Sequence, residues 1–242
     1  MAEAFFWGLL GAASLLLGAV VVAVKMPAQR ALGLIMGFGS GVLISAVAFE
    51  LVEEAASVAD GAGAVAVGFF TGMAVFLLGD QAISTMGYRD RKKMNAVHSA
   101  SGLAIVLGTV LDGVPESAVL GLSLLESGTI GVAVLAAVFM SNLPEAIAAT
   151  SSLRATGWSW GRVYALWTGI AVVSGIAAAL GYQLMSDASP AIFAFVLAFA
   201  GGAILAMLST TMMPEAYEYG GRLVGVTTTI GFAAAFAISW VA

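Results

Sequence analysis

The chain contains no cysteine, which excludes disulfides, thiolate metal centres and cysteine nucleophiles. Its single histidine, His98, excludes a multi-histidine site within one chain. Charge is scarce: Asp, Glu, Lys and Arg make up 10% of the residues, against about 25% in soluble domains. The net charge of −5 argues against nucleic acid as a partner. What is abundant is apolar, with 61% hydrophobic residues and a mean hydropathy of +1.03. A water-soluble fold of 242 residues could not bury that much apolar surface, so the lipid bilayer must serve as part of the solvent. The 30 glycines suit that environment, where helices associate through small residues rather than by excluding water.

Apolar runs cover about 4–24, 31–52, 63–86, 97–124, 129–152, 160–185, 191–216 and 223–242. Each is long enough to cross a bilayer as a helix, which takes about 20 residues. The first run follows Glu3 rather than a basic stretch, so it reads as a helix and not as a cleavable signal. Turn chemistry separates the runs, at Lys25-Met26-Pro27, Asp60-Gly61, Glu126-Ser127-Gly128, Thr156-Gly157, Ser189-Pro190 and Gly220-Gly221 among others. The expected fold is all-α: a polytopic membrane protein of eight transmembrane helices, one domain over 1–242.

Nine basic residues orient it. Lys25, Arg30, Arg89, Arg91, Lys92, Lys93, Arg154, Arg162 and Arg222 all fall on one side of an eight-helix arrangement. By the positive-inside rule that side is cytoplasmic and both termini are extracytoplasmic, in a cell (plasma or inner) membrane.

The second and seventh runs are similar. Phe38-Gly39-Ser40-Gly41 precedes Glu54-Ala55, and Phe199-Ala200-Gly201-Gly202 precedes Glu215-Ala216, with Phe, the second Gly, Glu and Ala at one constant spacing. The two runs point in opposite directions. Helices 1–3 and 6–8 are therefore expected to be inverted copies around helices 4 and 5, a 3+2+3 arrangement met in transporters with a central, alternately exposed site.

The chemistry lies in the middle. The fourth run reads Leu111-Asp112-Gly113-Val114-Pro115-Glu116-Ser117 and the fifth Met140-Ser141-Asn142-Leu143-Pro144-Glu145-Ala146. A charge at the bilayer centre costs roughly 2.5–3.5 kcal/mol on insertion scales, so such residues face a cavity or a partner. Asp112 and Glu116 share a helix face, as do Ser141 and Glu145. Pro115 and Pro144 free the carbonyls of Leu111 and Met140, which adds oxygen ligands suited to a cation. Three crowded carboxylates repel unless protonated or neutralised by a cation. The plainer alternative is a pair of protonated, hydrogen-bonded carboxyls that hold two kinked helices together.

These segments resemble the ZIP (ZRT/IRT-like) family of divalent metal transporters, whose fourth helix carries His-Asn-x-Pro-Glu-Gly and whose fifth carries a similar Pro-Glu segment. The resemblance extends to the Gly-rich second helix ending in Glu-Ala and to Pro214-Glu215-Ala216 of the seventh. It implies a divalent-ion transporter, moving zinc, iron or manganese toward the cytoplasm through metal ligands Asp112, Glu116, Asn142 and Glu145, with Ser141 reaching the ion through water. Asp112 stands where the family usually has His, Gly113 where it has Asn, and Ala178 where the sixth helix often has Glu. The implied site is all-oxygen, less zinc-selective than an imidazole site, and without an assured second metal.

Glu50 occupies a position that is often His in the family, which suggests an entrance role. Glu53, Glu54 and Asp60 form either a cation funnel or a solvated acidic loop. Asp80 is expected to meet the basic connection between helices 3 and 4, and His98 to be solvated. Trp158, Trp160, Tyr164 and Trp167 read as an interfacial belt. No cofactor and no enzymatic constellation is evident, and a homodimer is compatible with the pattern. Two further readings stay open: a proton-coupled carrier of another solute, and a non-transporting receptor or scaffold with a degenerate site.

Overall fold

The computed structural model describes residues 1–83 and 102–241, and within these the side chains of 102–108, Leu111, Asp112, Glu126, Ser127, Ala133 and Val241 fall outside the description. The described residues form helices and short turns. In hydrocarbon every backbone N–H and C=O must be paired within its own segment, and a helix achieves that. The helices are α1 (Ala2–Val24), α2 (Gln29–Val58), α3 (Ala62–Ile83), α4 (Gly102–Ser127), α5 (Val132–Ala155), α6 (Trp160–Met185), α7 (Pro190–Gly220) and α8 (Leu223–Val241). Seven of them are long and apolar enough to cross a membrane. The fourth, α4, has 26 residues, of which Gly113–Leu125 is an apolar stretch. Phe70 and Leu78, at 61% and 70% exposed, would not face water at that level, so α3 lies against lipid or another apolar surface. The chain is a multi-pass membrane protein.

The ends of the helices follow local chemistry. Ser159 and Ser189 cap α6 and α7 by accepting from the N–H groups of Arg162 and Ile192, and Pro190 occupies the first turn, where its missing N–H costs nothing. Gly128 and Gly157 sit at φ 70° and 89° in the turns after α4 and α5, a region that other residues enter at a cost. The described basic residues Lys25, Arg30, Arg154, Arg162 and Arg222 stand at the α1–α2, α5–α6 and α7–α8 turns. Arg154 is fixed there: its guanidinium donates to the Trp158 carbonyl and lies 4.5 Å from the centre of the Trp160 ring. Trp167 does not belong to the interfacial belt; it is fully buried, and its Nε1–H donates to Thr150 Oγ1 across α5 and α6 at 2.9 Å.

Helix-to-helix approach is set by glycine. An added Cβ at Gly72 on α3 would collide with the Phe199 carbonyl of α7, and one at Gly202 on α7 with the Phe69 carbonyl of α3. The same exchange joins α2 and α8, where Gly41 meets the Thr228 carbonyl and Gly231 the Phe38 carbonyl. Gly8 and Gly175 likewise bring α1 and α6 together. Gly18 seats α1 on Ala146 of α5, and Gly121 seats α4 on the Ala178 carbonyl of α6. Such backbone-to-backbone contact replaces the hydrophobic drive that lipid removes.

Both α2 and α7 contain one π-helical turn, at Ala46–Val52 and Leu208–Met212. The starts of the helices pair at one spacing along the chain, Gln29 with Pro190 and Ala62 with Leu223. At that spacing Ala46–Val52 falls on 207–213, which contains the second π turn. A π turn displaces the following side chains around the axis, and such turns concentrate at functional sites.

Candidate functional site

Both α4 and α5 run continuously through their prolines, Pro115 and Pro144. A glutamate follows each proline, and both glutamates are deep inside: Glu116 is 2% exposed and Glu145 5%. Ser141 and Asn142 on α5 are also buried. The contact that joins the two helices is polar: Ser141 Oγ donates to Glu116 Oε2 at 3.0 Å, and shares its hydrogen with the Val138 carbonyl, also at 3.0 Å. Glu145 stands one turn further along α5 from that hydroxyl, on the same face. On α4, Ser117 Oγ donates back to the Gly113 carbonyl at 2.6 Å. Glu116, Glu145, Ser141 and Asn142 are thus all in the protein interior, and Ser141 meets Glu116 there. Asp112 lies one helical turn before Glu116 in sequence, but its side chain is outside the described residues. So are His98 and the basic stretch at Arg89–Lys93. Among the described residues no three His, Cys, Asp or Glu side chains group as a metal centre.

Energetics limit what such a pair can be. Each buried charge costs roughly 2.5–3.5 kcal/mol on insertion scales, and each hydrogen bond to a charged group returns about 1.5–3 kcal/mol. Hydrogen bonds can balance one carboxylate, but a second like charge in the same low-dielectric volume adds repulsion. Protonation or a bound cation removes both costs. The segment 102–153 contains no Lys or Arg that could serve as that cation.

On the side of the α4–α5 turn, Glu116 borders a cavity of about 10 Å³. Leu43, Ala46, Val47 and Leu51 of α2, Val119 of α4, Val134, Ala137 and Val138 of α5 and Ile204 of α7 complete its wall. Among the described residues Glu116 is its one polar lining residue. That volume is at the lower limit for a single water, roughly 10–15 Å³. The α2 contribution comes largely from the π turn, so this turn closes the glutamate off on that side.

The other sequence candidates have contacts of their own. Half-buried Glu50 belongs to the same π turn but accepts a hydrogen bond from Ser239 Oγ near the end of α8. The adjacent Phe49 packs on Phe232 and Phe236 of α8, with ring centres 6.1 and 5.1 Å away. The Met140 carbonyl, freed by Pro144, lies against Gly39 of α2, where an added Cβ would sit 2.9 Å from the oxygen. Ala178 is fully buried between Gly8 of α1 and Gly121 of α4, which leaves no volume for a longer side chain. Glu53 and Asp60 are exposed and Glu54 half-buried, as a solvated acidic end would be. Sequence reasoning missed the apolar wall beside Glu116, because its residues come from four helices and each reads alone as ordinary lipid-compatible filler.

Compared with known proteins, the chain matches no family model and no curated protein.

Proposed function

We propose that this protein is a divalent metal-ion transporter of the ZIP type, carrying zinc, iron or manganese toward the cytoplasm. The observation that carries the reading is the pair of buried glutamates on two proline-containing helices, which the Ser141–Glu116 hydrogen bond joins. Glu116 and Glu145 are the principal ligands of the transported ion, Asp112 adds a third carboxylate, and Asn142 supplies a weaker oxygen. Ser141 orients Glu116. Oxygen donors without imidazole accept manganese and ferrous iron with less penalty relative to zinc than a histidine site does.

Helices α1–α3 and α6–α8 act as inverted halves around α4 and α5. Three features support this: the paired helix starts, the paired π turns, and the glycine contacts exchanged between α3–α7 and α8–α2. Both termini lie outside the cell membrane, and the basic turns lie in the cytoplasm. On this reading the apolar wall beside Glu116 lies toward the outer side. The exposed faces of α3 and α8 accommodate lipid or a second copy.

Purified protein in liposomes, tested against manganese, ferrous iron and zinc, should take up at least two of the three. Absence of uptake for all three in correctly folded protein overturns the reading.

A further inference from the structure

On the side of the carboxylates away from the apolar cavity, each central helix carries a buried hydroxyl at the same remove. Thr109 of α4 lies seven residues before Glu116, and Ser152 of α5 seven residues after Glu145. Seven residues are two turns, about 10 Å along the axis, so each hydroxyl shares its glutamate's face. Because α4 and α5 run oppositely through the short 128–131 turn, both hydroxyls fall on the same side, toward the α5–α6 turn. They are 3% and 5% exposed.

Ser152 Oγ is buried and has no hydrogen-bond partner. Among the described residues Thr228 Oγ1 of α8 shares that condition, but the neighbouring hydroxyls of α5 do not. Ser141 donates to Glu116, Ser151 to the Ile147 carbonyl, and Thr150 accepts from Trp167. Nothing in the packing requires a hydroxyl at 152, and an unsatisfied one is costly. Between Thr109 and Glu116, on the same face, Gly113 is buried, yet an added Cβ there would meet no atom of the described residues within 4 Å. On α5 the residue between glutamate and hydroxyl is Ala148, which is packed in the core. Among the described residues, Glu116 is therefore walled by apolar side chains on one side, while the other side carries two neutral oxygens and, at Gly113 on α4, no side chain.

We propose that Thr109 and Ser152 form a second, weaker station for a partly hydrated divalent cation, through which the ion passes after leaving Glu116 and Glu145. This rests on the transporter reading above. Neutral hydroxyls and water are hard oxygen ligands, which suit a divalent ion that keeps part of its water shell. They add no fixed charge, so the ion is held loosely, and conduction needs sites weak enough to leave.

The test uses manganese as probe in three proteins: wild type, Glu145→Ala, and the double variant Thr109→Val, Ser152→Ala. Equilibrium manganese binding to the solubilised protein and initial uptake in liposomes are measured for each. The double variant should bind manganese with an affinity within about twofold of wild type while taking it up about tenfold more slowly. The single variant Ser152→Ala should have an unchanged or raised thermal midpoint, since an unpaired buried hydroxyl has been removed. Restoring the hydroxyl with Ser152→Thr should recover part of the rate. Wild-type uptake in the folded double variant overturns the station alone, provided Glu145→Ala has lost both binding and uptake. No manganese binding or uptake by wild type overturns the transporter reading, and the station with it.

Discussion

The outer helices and the central pair are assembled by opposite means. The contacts of α2 with α8 and of α3 with α7 bring backbone against backbone, through glycines that meet carbonyl groups. The contact between α4 and α5 includes a hydroxyl–carboxylate hydrogen bond, inside two helices that each contain a proline. Close glycine packing suits bodies that hold their shape. A buried polar pair is a poor structural choice in lipid, because replacing it with apolar residues would remove its desolvation cost. The contrast indicates where selection has accepted instability.

Breaking the central pair should show this most clearly. Glu145→Ala and Glu116→Ala should each lower manganese uptake by at least about a hundredfold while the protein inserts and elutes as folded, because a ligand lost from a low-dielectric site leaves the cation poorly compensated. Wild-type uptake in Glu145→Ala would favour protonated carboxyls that only hold the helices together. The reverse result is expected in the outer bundles. Gly72→Leu should disrupt folding itself, since its side chain would enter the Phe199 carbonyl. Overpacking of this kind costs about 1–3 kcal/mol or more, readable as a lowered thermal midpoint and loss of monodisperse protein.

A smaller effect is expected at the hydroxyl that joins α4 to α5. Ser141→Ala removes a hydrogen bond to a carboxylate, worth about 1.5–3 kcal/mol, and should weaken manganese binding by about tenfold or more with folding retained. Unchanged affinity would mean that Ser141 does not orient Glu116.

Acidification offers a graded version of the same test. Ligand carboxyls must be deprotonated to hold a metal, so protons compete with the ion and uptake should fall as pH falls. Asp112→His should raise the zinc-to-manganese uptake ratio, since a borderline nitrogen replaces a hard oxygen. An unchanged ratio would remove Asp112 from the ligand set. The smallest effect is expected at Glu50. Its hydrogen bond to Ser239 reaches α8 rather than the carboxylates, so Glu50→Gln should leave uptake within about twofold of wild type. A large loss there would restore the entrance role that its position in the second helix suggests.

The surroundings of Ala178 leave it little room. Ala178 is not merely short of a carboxylate; it is clasped by Gly8 and Gly121 at the meeting of α1, α4 and α6. Restoring a glutamate there would need both glycine contacts to open.

Much of this protein was determined by local sequence. Hydropathy over windows of about 20 residues reports burial in lipid whatever the neighbours are, so the helices and their turns were legible. So was the burial of Glu116, Glu145, Ser141 and Asn142, because an ionisable residue in the middle of such a run has nowhere to go but inward. Tertiary structure decided which neighbour covers each face. Spacing along α2 could not show that Glu50 turns to Ser239, that Gly39 covers the Met140 carbonyl, or that the π turn seals one side of Glu116. Those outcomes depend on contacts between residues far apart in the chain. In lipid, where apolar faces all cost the same, steric fit between helices chooses among them.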